Sequence, residues 1–176
     1  GFTPEKLAEL MEVKNHLFGR VSDYAERVKV PFESGVKPWH VPVDVALPCA
    51  TQNELDEADA EQLVANGVQC VAEGANMPST AEAVRYFERS GVLYAPGKAS
   101  NAGGVATSGL EMSQNAMRLS WKREEVDQRL LEIMQGIHAV CLRYGEHAGG
   151  KVSYADGANI AGFVKVADAM LAQGVI

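Results

Sequence analysis

Apolar residues recur along this chain at two different periods, and the change of period divides it. Leu7, Leu10, Met11 and Leu17 or Phe18 fall at helical spacing behind Thr3-Pro4, a capping residue followed by a proline suited to the first helical position. Ser22 is placed to cap a second short helix carrying Tyr24, Ala25 and Val28. Residues 34–42 hold Gly35, Pro38 and Pro42 and read as a loop.

Short apolar runs then alternate with helical stretches. Val43 to Leu47 predicts a strand ended by Pro48. Asp56 predicts the cap of a helix that turns Ala60, Leu63 and Val64 inward and stops at Gly67. Val68 to Ala72 is a second strand. Ser79-Thr80-Ala81-Glu82 has the spacing of a capping box ahead of Ala83, Val84 and Phe87, with Gly91 as the stop. Val92 to Tyr94 is a third strand. Strands alternating with helices of this length imply right-handed βαβ units and a parallel sheet.

After Gly104 only the helical period persists. Val105, Gly109, Met112, Ala116 and Leu119 share one face. Val126, Leu130, Ile133, Ile137, Val140 and Tyr144 mark a long helix. Ile160, Phe163, Val164, Ala167, Met170 and Leu171 mark a last one, stopped by Gly174. The expected class is α/β: a partial doubly wound, Rossmann-like parallel sheet with flanking helices, then a carboxyl-terminal helical segment. No strand precedes the first helix, and G-x-G-x-x-G occurs nowhere. The chain therefore reads as the second half of a doubly wound nucleotide-binding domain.

In such sheets ligands bind outside the carboxyl ends of the strands. The three ends here are residues 48–53, 73–78 and 95–104, all rich in small and amide side chains. Asn76 and Asn101 could hydrogen-bond an amide or a ribose there, while Ala, Gly and Thr permit close approach. Asn and Gly also favour ordinary βα turns, and both readings stand. Gly103-Gly104 opens the following helix, although glycine costs a helix about 1 kcal/mol relative to alanine. Something pressing close to the backbone would account for it.

Composition narrows the classes. A net charge of −7 argues against nonspecific nucleic-acid binding, which needs a basic face. Hydrophobic residues at 47% and charged ones at 22% are ordinary for a globular chain. Cys49, Cys70 and Cys141 have no paired spacing and read as reduced thiols. No apolar run approaches the roughly 18 residues of a membrane span, and Gly1-Phe2-Thr3-Pro4 does not begin a signal peptide, so a cytoplasmic location is expected. Residues 91–98 brush against a phosphate-binding loop, but the glycine spacing is one too long and Ala99 stands in place of Ser or Thr. His138 and Cys141 lie three apart on a helix. With no third ligand they read as core, and no metal is expected. Ser108 lacks the preceding glycine of a nucleophile elbow.

Four segments carry a resemblance: LPCATQNEL (47–55), EGANMPSTAEA (73–83), APGKASNAGGVATSGLEMSQNA (95–116) and GANIAGFVKVADAMLAQGVI (157–176). Together they resemble the carboxyl-terminal part of the hexameric, NADP-specific glutamate dehydrogenases of the Glu/Leu/Phe/Val dehydrogenase family, and the resemblance runs from Gly1 to Ile176. Ser100 departs from it, standing where a second alanine is expected. The resemblance implies reversible reductive amination of 2-oxoglutarate to L-glutamate with ammonium and NADPH. It implies that Ala50, Thr51, Gln52, Gly74 and Ala75 line the NADP cleft, that Asn76 meets the nicotinamide ribose or carboxamide, and that Asn101 meets the nicotinamide side. Val105 and Ser108 would face the substrate, Ser108 on its distal carboxylate.

The same resemblance divides the chain into 1–104, the second part of the dinucleotide-binding domain, and 105–176, helices packing on it beside a hinge. The family's catalytic lysine and aspartate belong to a substrate domain outside these residues, so no catalytic residue is expected here and the isolated chain should be inactive. An uncovered sheet edge and apolar helix faces predict a homo-oligomer, with no nucleic acid and no membrane as partner. A non-catalytic binding or oligomerisation module is the alternative.

Overall fold

The computed structural model describes residues 2–147 and 150–174. It divides into two compact units, Gly1–Pro38 and Trp39–Ile176.

In the first unit, α1 (Pro4–Met11) starts as predicted, with the Thr3 hydroxyl accepting the Lys6 amide at 3.3 Å. It then widens into a π turn, Glu12–His16, which rotates the expected apolar face. Val13 is the side chain that becomes buried, whereas Leu17 and Phe18 are exposed and Phe18 takes φ 52°. α2 (Val21–Val28) is capped two residues earlier than expected. Arg20, not Ser22, is the capping residue, because Asp23 reaches back to accept the Arg20 amide at 2.7 Å. Tyr24 and Ala25 are buried, and the Phe2 ring stacks on Tyr24 at 6.3 Å.

The second unit holds a parallel sheet of β1 (Val45–Ala46), β2 (Cys70–Ala72) and β3 (Leu93–Ala95), in that order. Val45, Cys70 and Leu93 form one cross-strand row, and Ala46, Val71 and Tyr94 the next. Alternate residues of a strand face opposite sides, so only the second row enters the core. It packs with Leu55, Leu63, Val68, Ala83 and Phe87 from around α3 (Glu57–Ala65) and α4 (Ala81–Ser90), and Phe87 stacks on Tyr94 at 6.1 Å. The first strand is shorter than its apolar run: among the described residues Val43 and Leu47 take no part in the ladder, and both are exposed.

Asp56 caps α3, accepting the Asp59 amide at 3.0 Å, and Gly91 ends α4 in the left-handed region. The cap of α4 is Thr80 rather than Ser79, its hydroxyl accepting the Ala83 amide at 3.3 Å. Ser79 is buried instead, its hydroxyl without a partner among the described residues.

Past the sheet come a one-turn helix α5 (Gly97–Ser100), then α6 (Gly103–Met117), α7 (Arg123–Gly145) and α8 (Tyr154–Gln173). α7 and α8 cross at two glycines. A Cβ on Gly145 would stand 2.2 Å from the Ser153 oxygen, and one on Gly157 2.1 Å from the Cys141 oxygen, so both backbones touch. The predicted apolar faces of α6 and α8 are only partly used: Val105, Met112, Phe163, Met170 and Leu171 are strongly exposed. No helix among the described residues is long and apolar enough to cross a membrane.

Candidate functional site

The three loops leaving the strands are tied to one another by backbone bonds. The Pro48 carbonyl accepts the amides of Gly74 at 2.9 Å and Ala75 at 3.1 Å, and the Asn53 amide donates to Met77 at 3.0 Å. Cys49 Sγ lies 2.4 Å from where a Cβ on Gly74 would be, so Gly74 is required by its neighbouring loop. On the other side the Glu73 amide donates to Ala95 at 3.1 Å. A Cβ on Gly97 would lie 2.7 Å from the Ala75 carbonyl oxygen.

Glu73 is the buried carboxylate at this junction, 3% exposed. Its Oε2 accepts the Gly97 amide at 2.7 Å and its Oε1 the Ser79 amide at 3.3 Å. Burial, and after it the neighbouring Glu73 carboxylate, hold the Tyr94 pKa well above the ordinary phenol value. Ser100 donates its hydroxyl to the Glu73 carbonyl at 2.6 Å.

At the mouth of the junction Asn101 Nδ2 donates to the Ala75 carbonyl at 3.1 Å and to Asn76 Oδ1 at 2.7 Å. Both amide hydrogens of Asn101 are then committed, and the polarity of the pair is fixed by a backbone carbonyl that can only accept. Asn101 Oδ1 and Asn76 Nδ2 are left without a protein partner among the described residues. The pair presents one acceptor beside a two-hydrogen donor, the complement of a primary carboxamide.

Gly74, Ala75, Asn76 and Asn101 thus converge. Ala50, Thr51 and Gln52 form an exposed turn on the β1 side, held by the Ala50 amide donating to Glu54 Oε1 at 2.8 Å. Val105 and Ser108 lie exposed on α6, beyond the amide pair in sequence, and among the described residues no hydrogen bond joins Ser108 to that pair. Thr107 and Ser113 turn their hydroxyls onto their own helix, at 2.9 Å to the Gly103 and Gly109 carbonyls, while Ser108 has no such bond. Gly104 faces open space, and Gly103 meets only the tips of Leu130 and Met134 at 3.8 and 3.9 Å.

In the sequence Glu73 drew no role, and Ser100 stood out only as a departure from the family pattern. The available signal was an acid directly after a buried apolar strand. Lys98 was missed as well: its Nζ donates to Asn159 at 2.6 Å, tying the β3 loop to α8. His138 does not share the buried face with Cys141; it is exposed and stacks on Tyr154 at 5.6 Å. Among the described residues no cluster could hold a metal ion. Two apolar grooves, about 520 Å³ between α7 and α8 and about 640 Å³ beside Phe163 and Met170, lack converging polar groups. The strand ends therefore carry the candidate chemistry.

The chain resembles known proteins over almost its whole length. The Glutamate/Leucine/Phenylalanine/Valine dehydrogenase family model matches residues 1–174. The chain is 64% identical over 176 residues to the NADP-specific glutamate dehydrogenase of Escherichia coli (strain K12), covering 100% of this chain and 39% of that protein. It is 52% identical over 177 residues to the NAD-specific glutamate dehydrogenase of Bacteroides fragilis (strain YCH46), covering 100% and 40%. The crystal structure of Plasmodium falciparum glutamate dehydrogenase superposes with a TM-score of 0.93 at 45% identity, covering 100% of this chain and 38% of that one. The chain thus spans about two fifths of the length of the relatives it matches.

Proposed function

The chain belongs to the glutamate/leucine/phenylalanine/valine dehydrogenase family, and on that premise we propose that it supplies the nicotinamide side of a glutamate dehydrogenase site. The reaction is the reversible reductive amination of 2-oxoglutarate to L-glutamate with ammonium and NADPH. The observation that carries this reading is the Asn76–Asn101 pair and its fixed polarity. A nicotinamide carboxamide fits it in one orientation: Asn76 Nδ2 donates to the carboxamide oxygen, and Asn101 Oδ1 accepts from the carboxamide nitrogen.

When bound, the dinucleotide supplies the hydride. The protein's share is to hold and orient. Ala50, Thr51, Gln52, Gly74 and Ala75 line the cleft. Val105 and Ser108 face the substrate from α6, and the unspent Ser108 hydroxyl donates to its distal carboxylate. NADP is assigned over NAD because similarity to the NADP-specific relative is the greater. Residues 1–104 serve the dinucleotide-binding domain and 105–176 the helices beside its hinge. The catalytic lysine and aspartate of the reaction lie outside these residues, so the chain alone is not expected to turn over. It works in the cytoplasm as a homo-oligomer. The exposed apolar residues of α6 and α8 favour that assembly, and they are also what a purely oligomerising module would show.

The test is a titration of NADPH into the 176-residue protein followed by nicotinamide fluorescence, with 2-oxoglutarate and ammonium added last. Saturable binding lost in Asn76→Ala, without NADPH oxidation, is the expected result. Binding unchanged in Asn76→Ala would overturn the assignment, and turnover would overturn the division of labour.

A further inference from the structure

We propose that Glu73 is the positioning residue of this cleft: its buried carboxylate and carbonyl, with the Ser100 hydroxyl, set the separation of Asn76 and Asn101. The ligand in this inference rests on the reading above; the positioning rests on geometry alone.

Glu73 bonds in two directions. Oε1 takes the Ser79 amide, closing the 73–79 loop on itself with Asn76 at its tip. Oε2 takes the Gly97 amide, which opens α5, and the Gly97 carbonyl in turn accepts the Asn101 amide at 2.9 Å. One carboxylate therefore pins the base of the turn that carries each asparagine. Its own carbonyl receives Ser100, the residue just before Asn101, at 2.6 Å. Tyr94, stacked in the core against Phe87, is a close enough neighbour of the same carboxylate to feel its charge. The two asparagines can meet at 2.7 Å because both turns are fastened to one residue.

The chemistry requires an acid. Both oxygens accept from backbone amides of different turns, and a glutamine has a single acceptor oxygen. Glu73→Gln keeps the shape yet sets its amide nitrogen against one of two N–H donors, so one turn is released. Ser100→Ala removes only the hydroxyl bond.

The experiment uses the 176-residue protein, its Glu73→Gln and Ser100→Ala variants, and Leu63→Val as a control destabilised in the core beneath the sheet. NADPH affinity is read by fluorescence, and order in the cleft by amide exchange at Gly97 and the side-chain amide resonances of Asn101. Glu73→Gln is expected to weaken NADPH by roughly tenfold or more, the size of one lost charge-assisted hydrogen bond. Gly97 should lose protection and the Asn101 amide pair its dispersion. Ser100→Ala should show the same changes to a smaller degree, and Leu63→Val should show neither. Wild-type affinity and wild-type protection at Gly97 in Glu73→Gln would overturn the proposal, as would equal losses in Leu63→Val. If Glu73→Gln does not fold, Ser100→Ala decides by the same two readouts. If the wild-type protein binds no NADPH, the nicotinamide reading fails, and the exchange and Asn101 signals still decide whether Glu73 positions the pair.

Discussion

Gly157→Ala and Gly162→Ala lie on the same helix and should change stability in opposite directions. A Cβ on Gly157 would sit 2.1 Å from the Cys141 oxygen, 2.9 Å from its carbonyl carbon and 3.0 Å from its Cα. Carbon–oxygen contacts settle at about 3.3 Å or more, so the shortfall is about 1 Å. Every offending atom is helix backbone, which cannot swing aside as a side chain can. α8 must shift or tilt away from α7, and overpacking of this kind costs about 1–3 kcal/mol. Alanine returns about 1 kcal/mol through helix propensity. The net expectation for Gly157→Ala is a loss of about 1–2 kcal/mol, at the upper end of what these terms allow. Gly162 has nothing within 4 Å of its Cβ position, so only the propensity gain remains there. The two variants should differ by about 2–3 kcal/mol, or roughly 5–10 °C in Tm for a chain of this size. Both tryptophans, Trp39 and Trp121, belong to the second unit, so intrinsic fluorescence during thermal unfolding reports that unit alone. Gly157→Ala melting at or above wild type would refute the argument.

Gly97→Ala should push the Ala75 carbonyl outward from 2.7 Å, costing about 1–3 kcal/mol in urea unfolding and weakening NADPH in the fluorescence titration. Gly74→Ala should be costly alone and nearly free in a Cys49→Ala background, because the obstructing atom is Cys49 Sγ at 2.4 Å; a double-mutant cycle without coupling would contradict the packing. The raised Tyr94 pKa makes stability fall at high pH. The unfolded chain releases the phenol proton near pH 10, the folded chain keeps it longer, and so the loss begins at about that pH and grows as pH rises. Tyr94→Phe should flatten this alkaline limb in unfolding experiments between about pH 10 and 11.

The alternation of strands and helices was legible because periods of two and of 3.6 residues, with Asp56, Gly67 and Gly91 as punctuation, depend on near neighbours. The strand limits were not, since an apolar run does not say where its neighbour begins to pair. Ser79 and Thr80 are equally able to cap. What separates them is the Glu73 carboxylate, which takes the Ser79 amide from another part of the loop. Arg20 caps α2 only because Asp23 reaches back to it. The apolar stripe on α8 was visible, but nothing in a stripe says what covers it. Asn76 and Asn101 could be singled out as amides on strand ends. The residues fastening them, Glu73 and Ser100, act through contacts across more than twenty positions, to which local periodicity is blind.

The order of the sheet also bears on how the protein is made. Each strand pairs with the next one in the chain, its partner roughly two dozen residues along. Closing a loop of that length costs little more than closing a shorter one. As the polypeptide emerges from the ribosome, each strand can dock on its predecessor without waiting for a distant segment. Of these three strands β1 emerges first, and its outer edge has no partner strand among the described residues. An edge left open in this way is a template for other chains, so in a refolding sample the time it stays uncovered is time in which aggregation competes.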